Sequence, residues 1–309
     1  MTTKQNWIGT DGFTWFLGIV QDINDPLNCG RVKIRCIGWH SESISELPVD
    51  KLPWAQVLMP VTSASTSSVG RSGTGLLNGS FVMGFFLDGE MAQQPIVMGS
   101  LHGIPDGSDQ GGYSDPDKVY PKFPGFPDTP NLAYDRFVQD KITKDKEANI
   151  VKDVKTAFQT KTWSEPSPRN GKDPVYPKNH VTQTESGHAI EIDDTPDNER
   201  IHIYHKTGTF CEIQDNGDRI TKIVGDDYEI CVKDKNISIT GECNVTVTGD
   251  ARLYFKKDLL QEVGGNYKIK VDKDMSIEVG GTYTLVSDGN ITLNSTGTTT
   301  IVGSTIDLN

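Results

Sequence analysis

Histidine is scarce in this chain of 309 residues. The six are scattered as His40, His102, His180, His188, His202 and His205, and none follows His205. No histidine-based metal site is therefore expected in the last third. His202 and His205, three apart on a strand, point to opposite faces and make a poor chelating pair. No Ser-His-Asp or Cys-His arrangement is readable from spacing, and neither metal nor cofactor is expected. The five cysteines, Cys29, Cys36, Cys211, Cys231 and Cys243, are odd in number and lack a framework spacing. That pattern excludes a disulfide scaffold and implies free thiols and assembly in a reducing cytosol. No apolar run approaches a membrane span, and Met1 to Thr14 is too polar for a signal peptide, so the chain is expected to be soluble when made. Basic residues are outnumbered, 30 to 42, for a net charge of −12. From Val175 onward 13 Lys and Arg face 22 Asp and Glu, a net of −9. Such a balance opposes binding to nucleic acid or anionic lipid. Hydrophobic residues make up 35% of the chain, which is low for one compact domain of this length and suits a thin form with little core.

What the sequence does have is an eight-residue repeat. Gly217, Gly225, Lys233, Gly241, Gly249, Lys257, Gly265, Lys273, Gly281, Gly289 and Gly297 recur without a gap, and each is followed by a short polar or acidic residue such as Asp218, Asp226 or Asn266. Each pair reads as a corner, with glycine supplying positive φ and Asp or Asn bonding the bend. Between corners the period is two. The odd face carries Ile237, Ile239, Val245, Val247, Leu253, Phe255, Tyr267, Ile269, Val271, Met275, Ile277, Val279, Ile291 and Leu293, while the even face carries residues such as Asn236, Ser238, Thr240, Asn244, Thr246 and Thr248. An octad buries only two or three side chains, worth about 1.5 to 3 kcal/mol each, against about 1 to 2 kcal/mol per residue of backbone ordering. A partner must close the core. A single-chain solenoid or an antiparallel meander would each be one closure. Three chains wound about a shared axis form the better one, because each octad then makes one side of a triangular prism and leaves no bare apolar sheet. Inward residues shrink to Ser287, Ser295, Thr299 and Gly303 near the end, as in a shaft narrowing to a tip.

Residues 1–125 read as a different all-β unit. Strands are predicted at Trp15 to Gln21, Arg31 to Gly38, Trp54 to Pro60, Ser80 to Leu87 and Gln94 to Ser100, an order that suits a five-stranded OB-type barrel. Arg31, Lys33 and Arg35 alternate on one strand, but no aromatic cluster interleaves with them, so nucleic-acid binding is not expected. Gly70 to Gly75 lacks the Gly-Lys-Ser/Thr ending of a phosphate loop and reads as a mobile barrel loop. Residues 126–175, rich in Pro, Lys, Asp and Ser, read as an extended linker with a short helix around Asn149 to Phe158. Residues 176–216 form a β collar, and 217–309 the octad shaft.

Stretches on both sides of the linker carry a likeness. They are Trp15-Phe-Leu-Gly-Ile-Val20, Asp25-Pro-Leu27 with Gly30-Arg-Val-Lys-Ile-Arg35, Lys51-Leu-Pro-Trp54, Pro60-Val-Thr-Ser-Ala64 and Tyr113-Ser-Asp-Pro116. In the collar they are Thr184-Glu-Ser-Gly-His188, Asp193-Asp-Thr-Pro196, Glu199-Arg200 and Thr207-Gly-Thr209. With the octads, these make the chain resemble the central baseplate spikes of T4-like contractile phages, and it is also similar to the valine-glycine repeat spikes of type VI secretion. The resemblance implies a homotrimer with an OB barrel and a triple-stranded intertwined β-helix, sited in the virion baseplate. It implies docking on a trimeric hub, a PAAR-repeat protein at the tip, and the host outer membrane as a target for puncture. The T4 spike has a lysozyme domain where this chain has only its linker. Glycosidase chemistry needs a carboxylate pair positioned in a cleft, and Glu147, Asp153 and Glu165 lie in linker sequence, so no enzymatic activity is expected. The alternatives are a type VI-like spike and a hydrolase-associated tail protein.

Overall fold

The computed structural model describes residues 13–67, 69–102, 133, 148–167 and 174–307. Near the start of the chain, β1 (Trp15–Asp22), β2 (Val32–Cys36), β3 (Trp54–Val57), β4 (Phe81–Phe86) and β5 (Pro95–Ser100) close into a barrel in the order β1-β2-β3-β5-β4. All neighbours are antiparallel except β3 and β5, which run parallel. Alternating burial along β4 turns Val82, Gly84 and Phe86 inward, where Val82 and Phe86 join Phe16, Val20, Ile34 and Val97 in the core. Two glycines let the wall close. A Cβ at Gly84 would sit 2.0 Å from the Ile96 carbonyl oxygen and 2.6 Å from Phe16 Cζ, and one at Gly18 would meet Ile34 Cγ2 at 2.5 Å. The Asp25 to Arg31 loop is built on Asp25, which accepts from the backbone N–H groups of Leu27, Cys29 and Arg31 and from the Arg31 guanidinium.

The expected linker helix does not form over its predicted span. The helix expected at Asn149 to Phe158 is replaced by a small hairpin, β6 (Val154–Lys155) paired with β7 (Thr162–Trp163) around a 3-10 turn at Ala157–Gln159. Asp153, Phe158 and Gln159 take positive φ there, which breaks the helical run. Thr156 then fastens the turn, because its hydroxyl both donates to the Lys161 carbonyl and accepts the Lys161 N–H. Tyr113 to Pro116 and Glu147 lie outside the described residues.

The collar is one antiparallel meander of β8 (Asn179–Gln183), β9 (Ala189–Asp193), β10 (Arg200–Tyr204), β11 (Phe210–Ile213) and β12 (Arg219–Lys222). Its last strand extends into the first octad. Beyond it, no residue from Ile223 to Asp307 joins a strand ladder or bridge, and every one of them is exposed. Neither the single-chain solenoid nor the hairpin meander forms, since both need backbone pairing within the chain. Instead the backbone bends at 224–225, 232–233, 240–241 and onward at eight-residue intervals to 296–297. The chain divides into two units, Met1–Thr248 and Gly249–Asn309.

Candidate assembly interface

The collar sheet has its faces reversed relative to an ordinary domain. In Ala189-Ile-Glu-Ile-Asp193 and Arg200-Ile-His-Ile-Tyr204, isoleucines alternate with polar residues, so the period of two sorts them onto opposite sides. The polar side is buried. Glu191, Asp193, Arg200, His202 and Glu212 are all at most 3% exposed. Arg200 is the centre of that face, donating from Nη2 to Glu191 Oε2 at 2.7 Å and from Nη1 to Glu212 Oε2 at 3.3 Å. His202 stands opposite Glu191 on one neighbour and Glu212 on the other. Thr195 donates from its N–H and its hydroxyl to Asp193 Oδ1. The apolar side is half exposed. Ile192 pairs with Ile201, which pairs in turn with Ile213, and Ile190 pairs with Ile203. These five isoleucines are each between 40% and 54% exposed. This half-exposed aliphatic ladder is a candidate association surface.

The octads continue that condition. Ile237, Ile239, Val245, Val247, Leu253, Phe255, Tyr267, Ile269, Val271, Met275, Ile277, Val279, Ile291 and Leu293 are between 46% and 85% exposed in the single chain. The bends fall on the positions of Gly225, Gly241, Gly249, Gly265, Gly281, Gly289 and Gly297, and on those of Lys233, Lys257 and Lys273. Their conformation differs from the expected one. Among the octad glycines only Gly217 has positive φ, at 86°, in the turn between β11 and β12. At Gly225, Gly241, Gly249, Gly265 and Gly281 an added Cβ would meet nothing within 4 Å. The bend is therefore open to an L side chain, which explains why lysine takes the same place in three octads.

The basic residues of β2 and its flank, Glu165 and the paired histidines are engaged within the fold. Arg31 pairs with Asp25 at 2.6 Å. Lys33 Nζ donates to the Val49 and Asp50 carbonyls and lies over the Trp54 ring. Arg35 donates to Gln21 Oε1 and to the carbonyls of Ser41 and Leu47. Glu165 is held by Lys222, and Asp153 is exposed. His202 is buried in the sheet, whereas His205 lies in the turn after it, bonded to the Thr207 hydroxyl and 4.4 Å from the His188 ring. Among the described residues, no group of three or more His, Cys, Asp or Glu side chains is arranged to hold a metal.

Residues 39–202 match the family model described as the Gp5 N-terminal OB domain, from the loop after β2 to the middle of β10. Over 289 residues the chain is 36% identical to Protein Gp5 of Vibrio phage KVP40, a match covering 83% of this chain and 68% of that one. The chain belongs to the Gp5 family. A second Gp5 relative, the pre-baseplate central spike protein of Enterobacteria phage T4, is 38% identical over 122 residues, which span 37% of this chain and 21% of that protein. Both are Gp5 proteins by name, and the T4 one is named as a baseplate spike. The family match joins the barrel to the collar, so both parts of this Gp5 chain carry the kinship. Reading the octads alone passed over Ile190, Ile192, Ile201, Ile203 and Ile213, although the same alternation of isoleucine and charge was visible in the collar sequence.

Proposed function

We propose that this chain is the central spike of a contractile-tail baseplate, a homotrimer that works mechanically. The observation that carries the reading is the run from Ile223 to Asp307, bent every eight residues and without a strand ladder or bridge of its own. Buried polar backbone must be paired, and exposed apolar side chains at this density favour association. Three copies about one axis satisfy both needs, with the odd-numbered side chains filling a prism and each strand pairing with its neighbours. Gly225, Gly241, Gly249, Gly265, Gly281, Gly289 and Gly297 form the corners of that prism, whereas Gly217, expected to be the first corner, belongs to the hairpin turn between β11 and β12. The aliphatic ladder of the collar joins the same core.

In this reading the barrel docks on a trimeric hub, and its exposed Trp15 and Trp39 suit a protein contact. The tip accepts a PAAR-repeat protein. Sheath contraction drives the rigid shaft through the host outer membrane, and no step requires bond chemistry, a metal or a cofactor. The acidic shaft resists spontaneous insertion, so penetration takes external work. Assembly takes place in the host cytoplasm and the finished protein resides in the virion. Electron tomography of contracted parent particles on host envelopes tests the role. Shaft density crossing the outer membrane is expected, and contracted particles with the shaft lying outside an intact membrane would contradict it.

A further inference from the structure

The hairpin of the linker is fastened to the chain that follows it at four places. Gln214 Nε2 donates to the Ser167 carbonyl at 2.9 Å. Lys222 Nζ donates to the Asn149 carbonyl at 2.6 Å and pairs with Glu165 at 2.9 Å. Further along, Lys161 pairs with Glu242, and the Thr246 hydroxyl donates to the Lys155 carbonyl. All four anchors, Gln214, Lys222, Glu242 and Thr246, are even-numbered. Even positions make the polar face of the octads, opposite the apolar odd face. The hairpin thus occupies the side that a shared core leaves outside. The first unit of the chain ends at Thr248, two residues past the last anchor.

The contacts are unequal. Lys161 and Glu242 are both about two-thirds exposed, and pairs in water hold weakly. The Lys222 and Glu165 side chains are only 20% and 10% exposed. Glu165 also closes the hairpin's own base, accepting the Val151 N–H at its carboxylate while its N–H donates to the Val151 carbonyl. Lys222 therefore grips the point where the two arms of the hairpin meet.

We infer that residues 149–167 are a strap gripping the polar face of the chain between Gln214 and Thr246, latched by Lys222 on Glu165, and that it couples barrel to shaft. An undocked tether of fifty residues would let the barrel wander by up to roughly 160 Å, at about 3.3 Å per residue, and would transmit thrust poorly. A strap docked from Asn149 onward leaves only 126–148 on the barrel side, roughly 76 Å at about 3.3 Å per residue, and so halves that slack. The coupling role rests on the spike reading, whereas the grip itself does not.

Hydrogen exchange on the purified full chain, beside a synthetic peptide of residues 148–167, tests the strap. The amides of Thr156 and Glu165 are expected to exchange at least about tenfold more slowly in the chain than in the peptide, with Lys222→Met removing most of that protection and Lys222→Arg keeping it. Glu165→Gln reads the same latch from the hairpin side if Lys222→Met does not assemble. Peptide-like exchange in the unaltered chain, or protection unchanged by both Lys222→Met and Glu165→Gln, would overturn the strap. Light scattering on the same samples separates the two proposals, since a protected hairpin in a monomer would keep the strap and sink the trimer.

Discussion

At the scale of single residues, the glycines divide by what surrounds them. Gly84 has the Ile96 carbonyl where a Cβ would go, so Gly84→Ala must part β4 from β5. The variant is expected to lose at least about 2 kcal/mol in chemical denaturation of the barrel. Gly265 faces open space without positive φ, and Gly265→Ala should stay within about 0.5 kcal/mol. Equal losses at the two sites would contradict this account of the bends. His40 gives a pH signature. Burial first, and then the Arg35 charge, hold its imidazole below the usual range, and its Nδ1 accepts the Cys36 N–H at 3.0 Å. The folded barrel therefore prefers neutral His40. That contribution is complete above about pH 6.5, the ordinary histidine value, and is lost as pH falls from there through the depressed folded value. An NMR titration should place His40 below 6.5, and a value at or above it would refute the assignment.

At the scale of elements, the collar turns on one side chain. Arg200→Ala leaves Glu191 and Glu212 buried without the cation between them. Breaking a buried pair from one side costs about 3 to 5 kcal/mol, so the variant should unfold at markedly lower denaturant at matched protein concentration. Cysteines report on the octads. Cys29 is exposed, whereas Cys36 is buried and its thiol is pushed up to about 12. Cys29 should label quickly and Cys36 only on unfolding. Cys231 and Cys243 are exposed in the single chain yet sit on the odd face. In the assembled shaft they should resist labelling, and rapid modification would place them outside a shared core. Much of this level was legible in sequence. The five barrel strands follow from short apolar runs between Gly and Pro breaks, and β9 and β10 from strict alternation. The linker hairpin was hidden because it depends on three non-glycine residues with positive φ and on side-chain anchors far along the chain, which local propensity does not encode.

At the scale of the whole molecule, the octad run of the single chain is unpaired from Ile223 to Asp307. Its octad repeat was legible because glycine or lysine recurs every eight residues, and the apolar odd-numbered side chains from Ile237 to Leu293 stay exposed in the single chain. The reversed collar sheet extends the same exposure to Ile190 and Ile203. Intrachain burial there shields charge and leaves aliphatic surface in water, an order that becomes favourable when copies meet. The acidic balance keeps such a particle dispersed once the faces are covered. The central claim is that three chains share one axis, and the most direct measurement is the solution mass of the purified chain by light scattering coupled to small-angle X-ray scattering. The account predicts an elongated particle of three times 34.0 kDa. A compact 34.0 kDa monomer would contradict it.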